Sequence, residues 1–245
     1  MTTPEHTLTS TVAKPTAVPA SPPVLPQPLQ SRDWVRLVQG FYFLFFGTLG
    51  ALVTLIEVLL QPTTRPSFTL LSFASIAAVL IGAGRLYQTR RLTPEWHCRT
   101  RELLIVAALL FYLWFFFQMW LRLSTNFYFL LHAITFAGLC LYSPTQLSIV
   151  IIALGRATGS KPLQTQAILY GSGSFLLLFL PYTLLANALV AAAQNGSDPL
   201  FAIQHLLHGI PIFILLTLLL PSSLVLSLAW AAKDIALAKL TGDKP

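Results

Sequence analysis

Six stretches of the chain run for at least 19 residues without a Lys, Arg, Asp or Glu, and this feature constrains the fold more than any other. About 20 apolar residues cross the hydrocarbon core of a bilayer as one helix, which satisfies its own backbone N–H and C=O groups. The first three intervals hold 20, 19 and 19 residues, between Arg36 and Glu57, Arg65 and Arg85, and Glu102 and Arg122. The other three hold 33, 36 and 34, between Arg122 and Arg156, Lys161 and Asp198, and Asp198 and Lys233. Each is long enough to span once, and none to span twice with a turn. The pattern predicts an all-α, polytopic transmembrane bundle with six spans, over 34–60, 67–87, 94–121, 126–153, 165–193 and 200–231.

Only 9% of the residues are charged and 55% are hydrophobic. A soluble domain carries about a quarter charged residues, so a soluble globular enzyme is excluded. The net charge of +7 matters less than where the positives fall, because in a membrane protein Lys and Arg set orientation. With the N-terminus inside, thirteen Lys and Arg fall on the cytoplasmic side and only Arg65 and Arg122 on the other. Both termini are therefore expected in the cytoplasm, and no nucleic-acid partner is implied. Two cysteines, Cys98 and Cys140, are too few for a disulfide framework.

Three segments follow. Residues 1–33 form a Pro-rich cytoplasmic tail, with seven of the 17 prolines in its first 30 residues; such composition predicts disorder. It could dock to a Pro-rich-peptide reader, but a solvated tail is the preferred reading on composition. Residues 34–232 form the six-helix transmembrane domain, and 233–245 a short basic cytoplasmic tail. Between helices 2 and 3, Thr93-Pro94-Glu95 reads as a helix start, with a cap, a proline at the first position and an acid at the positive dipole end. Trp96 is then expected at headgroup level. The five arginines of this loop suit anionic lipid or, more simply, topology.

Small residues at helical spacing, Gly47 and Ala51 and then Ala74, Ala78 and Gly82, read as packing seams. Pro144, Pro181, Pro211 and Pro221 fall inside helices 4 to 6, where each removes a backbone donor. Imposing the topology gathers polar residues in the outer leaflet: Glu57, Arg122, His132, His205 and His208. That cluster has three readings. It could be an ion or proton site, a metal or haem site built on His132 with His205 or His208, or a structural set. In the last, Glu57 pairs with Arg65 or Arg122 while the histidines cap and cross-link helices, and this is preferred. No metal or other cofactor is assigned. Gly171-Ser172-Gly173-Ser174 does not match a serine-protease order, and the histidines lie at the other face. No Walker or Rossmann glycine pattern is present, so an enzyme is not expected.

One segment carries a resemblance. Ser143-Pro144, then Leu154-Gly155-Arg156-Ala157-Thr158-Gly159-Ser160, Ala167-Ile168-Leu169-Tyr170 and Leu180-Pro181-Tyr182 run in an order that resembles the Yip/Yif family of small polytopic membrane proteins. The likeness covers about residues 140–185. It implies a helical bundle with a cytoplasmic N-terminal tail, and in the eukaryotic members a tie to vesicle traffic through small GTPases. It also implies that Gly155, Gly159, Tyr170 and Pro181 shape the turn and kink between helices 4 and 5. It carries no catalytic residue. The family usually has five spans, so helix 1 or helix 6 would be an addition, or the last span is misread.

The resulting expectation is a multi-pass protein of a bacterial inner membrane or its equivalent. It would act in assembly, scaffolding or trafficking of membrane components, with the lipid bilayer and a membrane-protein partner or second copy of itself as partners. The alternatives are a small transporter or channel using the outer-leaflet cluster and, third, a haem- or metal-binding membrane subunit.

Overall fold

A computed structural model describes residues 30–60, 69–89, 92–198 and 219–242. The Pro-rich residues 1–29, Arg65, Arg90, Arg91, Pro211, His205, His208 and Lys244 lie outside them, as do the side chains of Glu57 and Leu180. The regular elements are α1 (Ser31–Leu60), α2 (Thr69–Tyr87), α3 (Pro94–Arg122), α4 (Phe127–Thr158), α5 (Lys161–Gln194) and α6 (Leu219–Thr241). Five of them, α1 to α5, are long and apolar enough to cross a membrane. The chain is therefore a multi-pass membrane protein whose regular elements, among the described residues, are all helices.

Each helix packs against its sequence neighbour, and α6 packs back on α1, closing a ring; α4 also touches α6 across it. Antiparallel pairing follows from the short connections and is visible in the contacts. Glu95 at the start of α3 meets Arg156 at the end of α4, and Gly155 of α4 lies against Gln164 of α5. The α5–α6 contact sets the level of α6: Ser174 Oγ donates to the carbonyl of Pro221 at 3.5 Å. Ser174 is thirteen residues into α5, so α6 as described begins well inside the bundle and runs out to the end where α1 begins.

Helix ends are set by local chemistry. Thr93 caps α3, its side chain accepting from Trp96 N–H at 3.1 Å, with Pro94 at the first helical position. The sequence placed this start correctly. α4 continues five residues past its expected end at 153. It stops at Gly159, whose φ of 76° is left-handed, a conformation that suits glycine because it has no Cβ. Ser160 N–H then donates to Gly155 O and Gly159 N–H to Arg156 O, which satisfies two of the last carbonyls. Gly196, with φ 70°, closes α5 in the same way, with Ser197 N–H on Ala192 O.

The small-residue seam differs from the four-residue spacing read in the sequence. Ala51 and Ala74 are exposed. The close contacts repeat every seven residues instead: Gly40 and Gly47 of α1 against Ser75 and Gly82 of α2. A Cβ on Gly82 would stand 2.8 Å from Gly40 O, and one on Gly47 would stand 2.8 Å from Ser75 O. A seven-residue repeat keeps one stripe facing the partner when helices coil about each other with a left-handed twist. No hydrophobic effect drives helices together in lipid, so approach of this kind supplies the dispersion contacts that hold them.

Trp96 is 0% exposed inside the bundle, its indole N–H donating to Thr89 Oγ at 3.1 Å. One expectation at the basic end is overturned. The last helix ends at Thr241, ten residues beyond the expected 231, and Lys233 is 4% exposed rather than part of a solvated tail. Its ammonium sits 3.4 Å above the Trp230 ring and 2.6 Å from Asp234. A cation on an aromatic face with a carboxylate beside it is a substitute for water.

The Arg156 Nη1–Glu95 Oε1 contact, 2.6 Å long, joins α4 to α3, but both side chains are about half exposed. Exposed pairs contribute about 0–1 kcal/mol. Arg156→Gln is therefore expected to lower the melting temperature in detergent only slightly, with the loss disappearing in molar salt. A drop that persists in salt would give this pair a larger role.

Candidate functional site

Among the five outer-leaflet candidates, only Arg122 and His132 have described side chains. Arg122 ends α3 and is exposed. His132 lies in the second turn of α4, which Asn126 caps by accepting from Tyr128 N–H at 3.0 Å. The His132 Nδ1 is 2.8 Å from the Tyr128 carbonyl. A carbonyl only accepts, so Nδ1 carries the proton. The ring stacks on Phe116, centroids 4.6 Å apart and planes within 24°, and packs against Tyr128 at 4.4 Å. Its helix and two aromatic rings therefore hold this histidine. Glu57, His205 and His208 cannot be placed beside it, their side chains lying outside the described residues. No group of three or more His, Cys, Asp or Glu that could hold a metal occurs among the described residues.

His132→Phe keeps the stack and loses one bond. It is expected to insert and fold with a stability change within about 1 kcal/mol, read as detergent melting temperature. Loss of folded protein on this change would show that the remaining ring nitrogen has a partner of its own.

The α4–α5 hairpin gives its glycines different duties. Gly159 makes the turn, while Gly155 gives room for Gln164, whose Cγ would lie 2.7 Å from a Cβ there. Further along, Gly171 admits Ser148, and Gly138 lies under Tyr182, whose hydroxyl donates to Ile134 O at 3.0 Å. Tyr170 is half-buried against the main core cluster. α4 and α5 both continue through Pro144 and Pro181. Proline has no N–H, so the carbonyls of Cys140 and Leu177 lose their helical donor.

Sequence reasoning missed three sets of polar–aromatic contacts toward the end where α1 begins. Thr89 Oγ accepts from Trp96 and donates to Leu86 O. His97 stacks on Tyr87 at 4.9 Å. Lys233 lies on Trp230, with Tyr42 of α1 5.3 Å away. The signals were present but local: Trp230 precedes Lys233 by three residues, one helical turn, and Thr89 precedes Trp96 by seven. The large buried side chains Trp96, Phe41, Leu37, Leu86 and Leu154 fill this end. Comparison with known proteins adds nothing to this geometry: no family model, no curated protein and no solved structure matches the chain.

Proposed function

We propose that this chain is a non-enzymatic integral membrane protein that assembles, scaffolds or helps traffic other membrane components. In this reading it spans the membrane six times with both termini in the cytoplasm. The observation that carries it is the filled interior at the basic end. Trp96, Phe41 and leucines from α1 to α4 close the axis there, and α6 contributes Leu228, Ala229 and Ala232 to the same core. A chain packed this way presents its chemistry on its lateral surface, where α5 exposes Leu169, Leu176, Phe179 and Leu184. The orientation is supported by the ends of the helices. Arg36, Arg85, Arg101, Arg156 and Lys161 belong to one end of the bundle, and Arg122 to the other.

The transport alternative draws less support, since the one described histidine of its cluster is already engaged by Tyr128 and Phe116. The Yip/Yif reading rests on the α4–α5 hairpin, and the glycine turn there suits it.

Two measurements test the proposal. With Cys98 and Cys140 replaced by Ser, a membrane-impermeant maleimide on intact cells is expected to label Thr125→Cys and to spare Ser160→Cys. The reverse pattern would overturn the orientation. Purification in mild detergent is expected to retain a membrane-protein partner, or a second copy, at fixed stoichiometry. A partnerless monomer with measurable solute flux in liposomes would replace this function with transport.

A further inference from the structure

The lateral surface of α3, α4 and α5 carries a continuous track with polar groups at one end and an apolar slot at the other. Between α3 and α4 lies an open groove of about 350 Å³, walled by Arg99, Glu102, Ile105, Ile149, Gln146 and Tyr142. Between α4 and α5 lies a second hollow of about 220 Å³, walled by Gly138, Tyr142, Phe175, Phe179 and Tyr182. Tyr142 borders both.

At the groove's mouth Arg99 Nη1 meets Glu102 Oε2 at 3.1 Å, and Cys98 Sγ is 3.8 Å from the other carboxylate oxygen. The Arg99 and Glu102 side chains keep 40% and 35% of their surface open, so each retains free hydrogen-bonding positions. Deeper in, Gln146 Nε2 donates to the Tyr142 hydroxyl oxygen. That leaves the Tyr142 proton to be donated, and no described residue accepts it. Gln146 itself is 4% exposed, and its Oε1 has no partner among the described residues.

The Glu95–Arg156 contact fixes the levels of α3 and α4. Seven residues inward from it, Glu102 is level with Ile149. Seven further residues along α4, about 10 Å at 1.5 Å per residue, lies Tyr142. We propose that this track binds one phospholipid with a zwitterionic, primary-ammonium head group. Glu102 takes the ammonium and Arg99 the phosphate. Tyr142 donates to an ester carbonyl drawn into the groove, and an acyl chain lies in the hollow against Leu141 and the outer faces of the stacked Phe175 and Phe179 rings. The paired charges select this occupant. A cationic pocket alone would suit any anionic lipid, whereas an Arg–Glu pair matches a head group bearing both signs. An ammonium also gives the carboxylate N–H donors that a choline head group lacks.

The test is lipid retention by native mass spectrometry, and melting temperature on adding phosphatidylethanolamine, phosphatidylcholine or phosphatidylglycerol to the delipidated protein. Phosphatidylethanolamine is expected to be retained at one molecule per chain and to raise the melting temperature more than the other two. Glu102→Gln is expected to remove that preference, with about a tenfold loss, while phosphatidylcholine retention stays unchanged. Tyr142→Phe, which keeps the ring, is expected to weaken retention about fivefold, one hydrogen bond's worth. Equal stabilisation by all three lipids would mean general annular contact and overturn the proposal. So would a preference for phosphatidylglycerol, or one that survives Glu102→Gln.

Discussion

Gly82→Leu is expected to leave no monodisperse protein after detergent extraction, the largest effect of any single change on the α1–α2 pair. The cause is the backbone approach. A Cβ at position 82 would stand 2.8 Å from Gly40 O and 3.0 Å from Leu44 N, which are main-chain atoms that cannot swing aside. Even Gly82→Ala must push the two helices apart, and overpacking of this kind costs about 1–3 kcal/mol. A leucine would separate them along much of their length, including the Gly47–Ser75 contact one repeat further on. Gly84 is the control. It lies two residues away on the same helix, and a Cβ there meets nothing within 4 Å. Gly84→Leu is expected to extract and elute like the parent chain. If Gly82→Leu also did so on size-exclusion chromatography, α1 and α2 would not be packed as described. Ala78, half-buried beside the seam, should give an intermediate result as Ala78→Leu.

The seam also shows how far a sequence of this kind can be read. The existence of five of the spans and most helix ends were legible because charge and capping are local. Charge-free intervals mark the helices, Thr93-Pro94 marks the start of α3, and the observed starts of α1 to α4 fall within three residues of those expected. Which face of each helix is used was not legible. In a soluble helix polar residues mark the solvent side, but in lipid both the packed and the exposed faces are apolar. Gly47 and Gly82 were found, yet Gly40 and Ser75, their partners at seven-residue spacing, were not. Lys233 was misassigned for a related reason. A lysine is ordinarily evidence of water, and only the neighbouring Trp230, Asp234 and Tyr42 allow it to lie buried. The outer-leaflet candidates illustrate a third limit. Topology puts residues in one leaflet, but it does not bring them into contact, and His132 turns out to be held by Tyr128 and Phe116. The Arg99–Tyr142 track was missed because its members come from two helices and meet only through the register of α3 on α4.

Trp96→Ala is expected to be the most destabilising change outside the α1–α2 seam. The side chain is the largest fully buried one among the described residues, 0% exposed, in the core cluster that joins all six described helices. Removing an indole from such a site leaves a cavity that the surrounding helices cannot fully close, at a cost of about 3–5 kcal/mol. The change also strips Thr89 of a donor. Two milder variants separate these contributions. Trp96→Phe keeps most of the volume and loses the N–H to Thr89, and should cost about 1–2 kcal/mol. Thr89→Val removes the acceptor and strands the indole N–H, with a penalty of similar size. Because the two residues share one bond, the double variant should cost less than the sum of the singles by about 1 kcal/mol. The readout is the fraction remaining monodisperse after heating in detergent, since loss of one of five tryptophans complicates fluorescence. If Trp96→Ala matched the parent's stability, the indole would lie at the lipid surface as its sequence position first suggested. Additive single-variant losses, with Trp96→Ala still strongly destabilising, would keep the indole buried but remove its bond to Thr89.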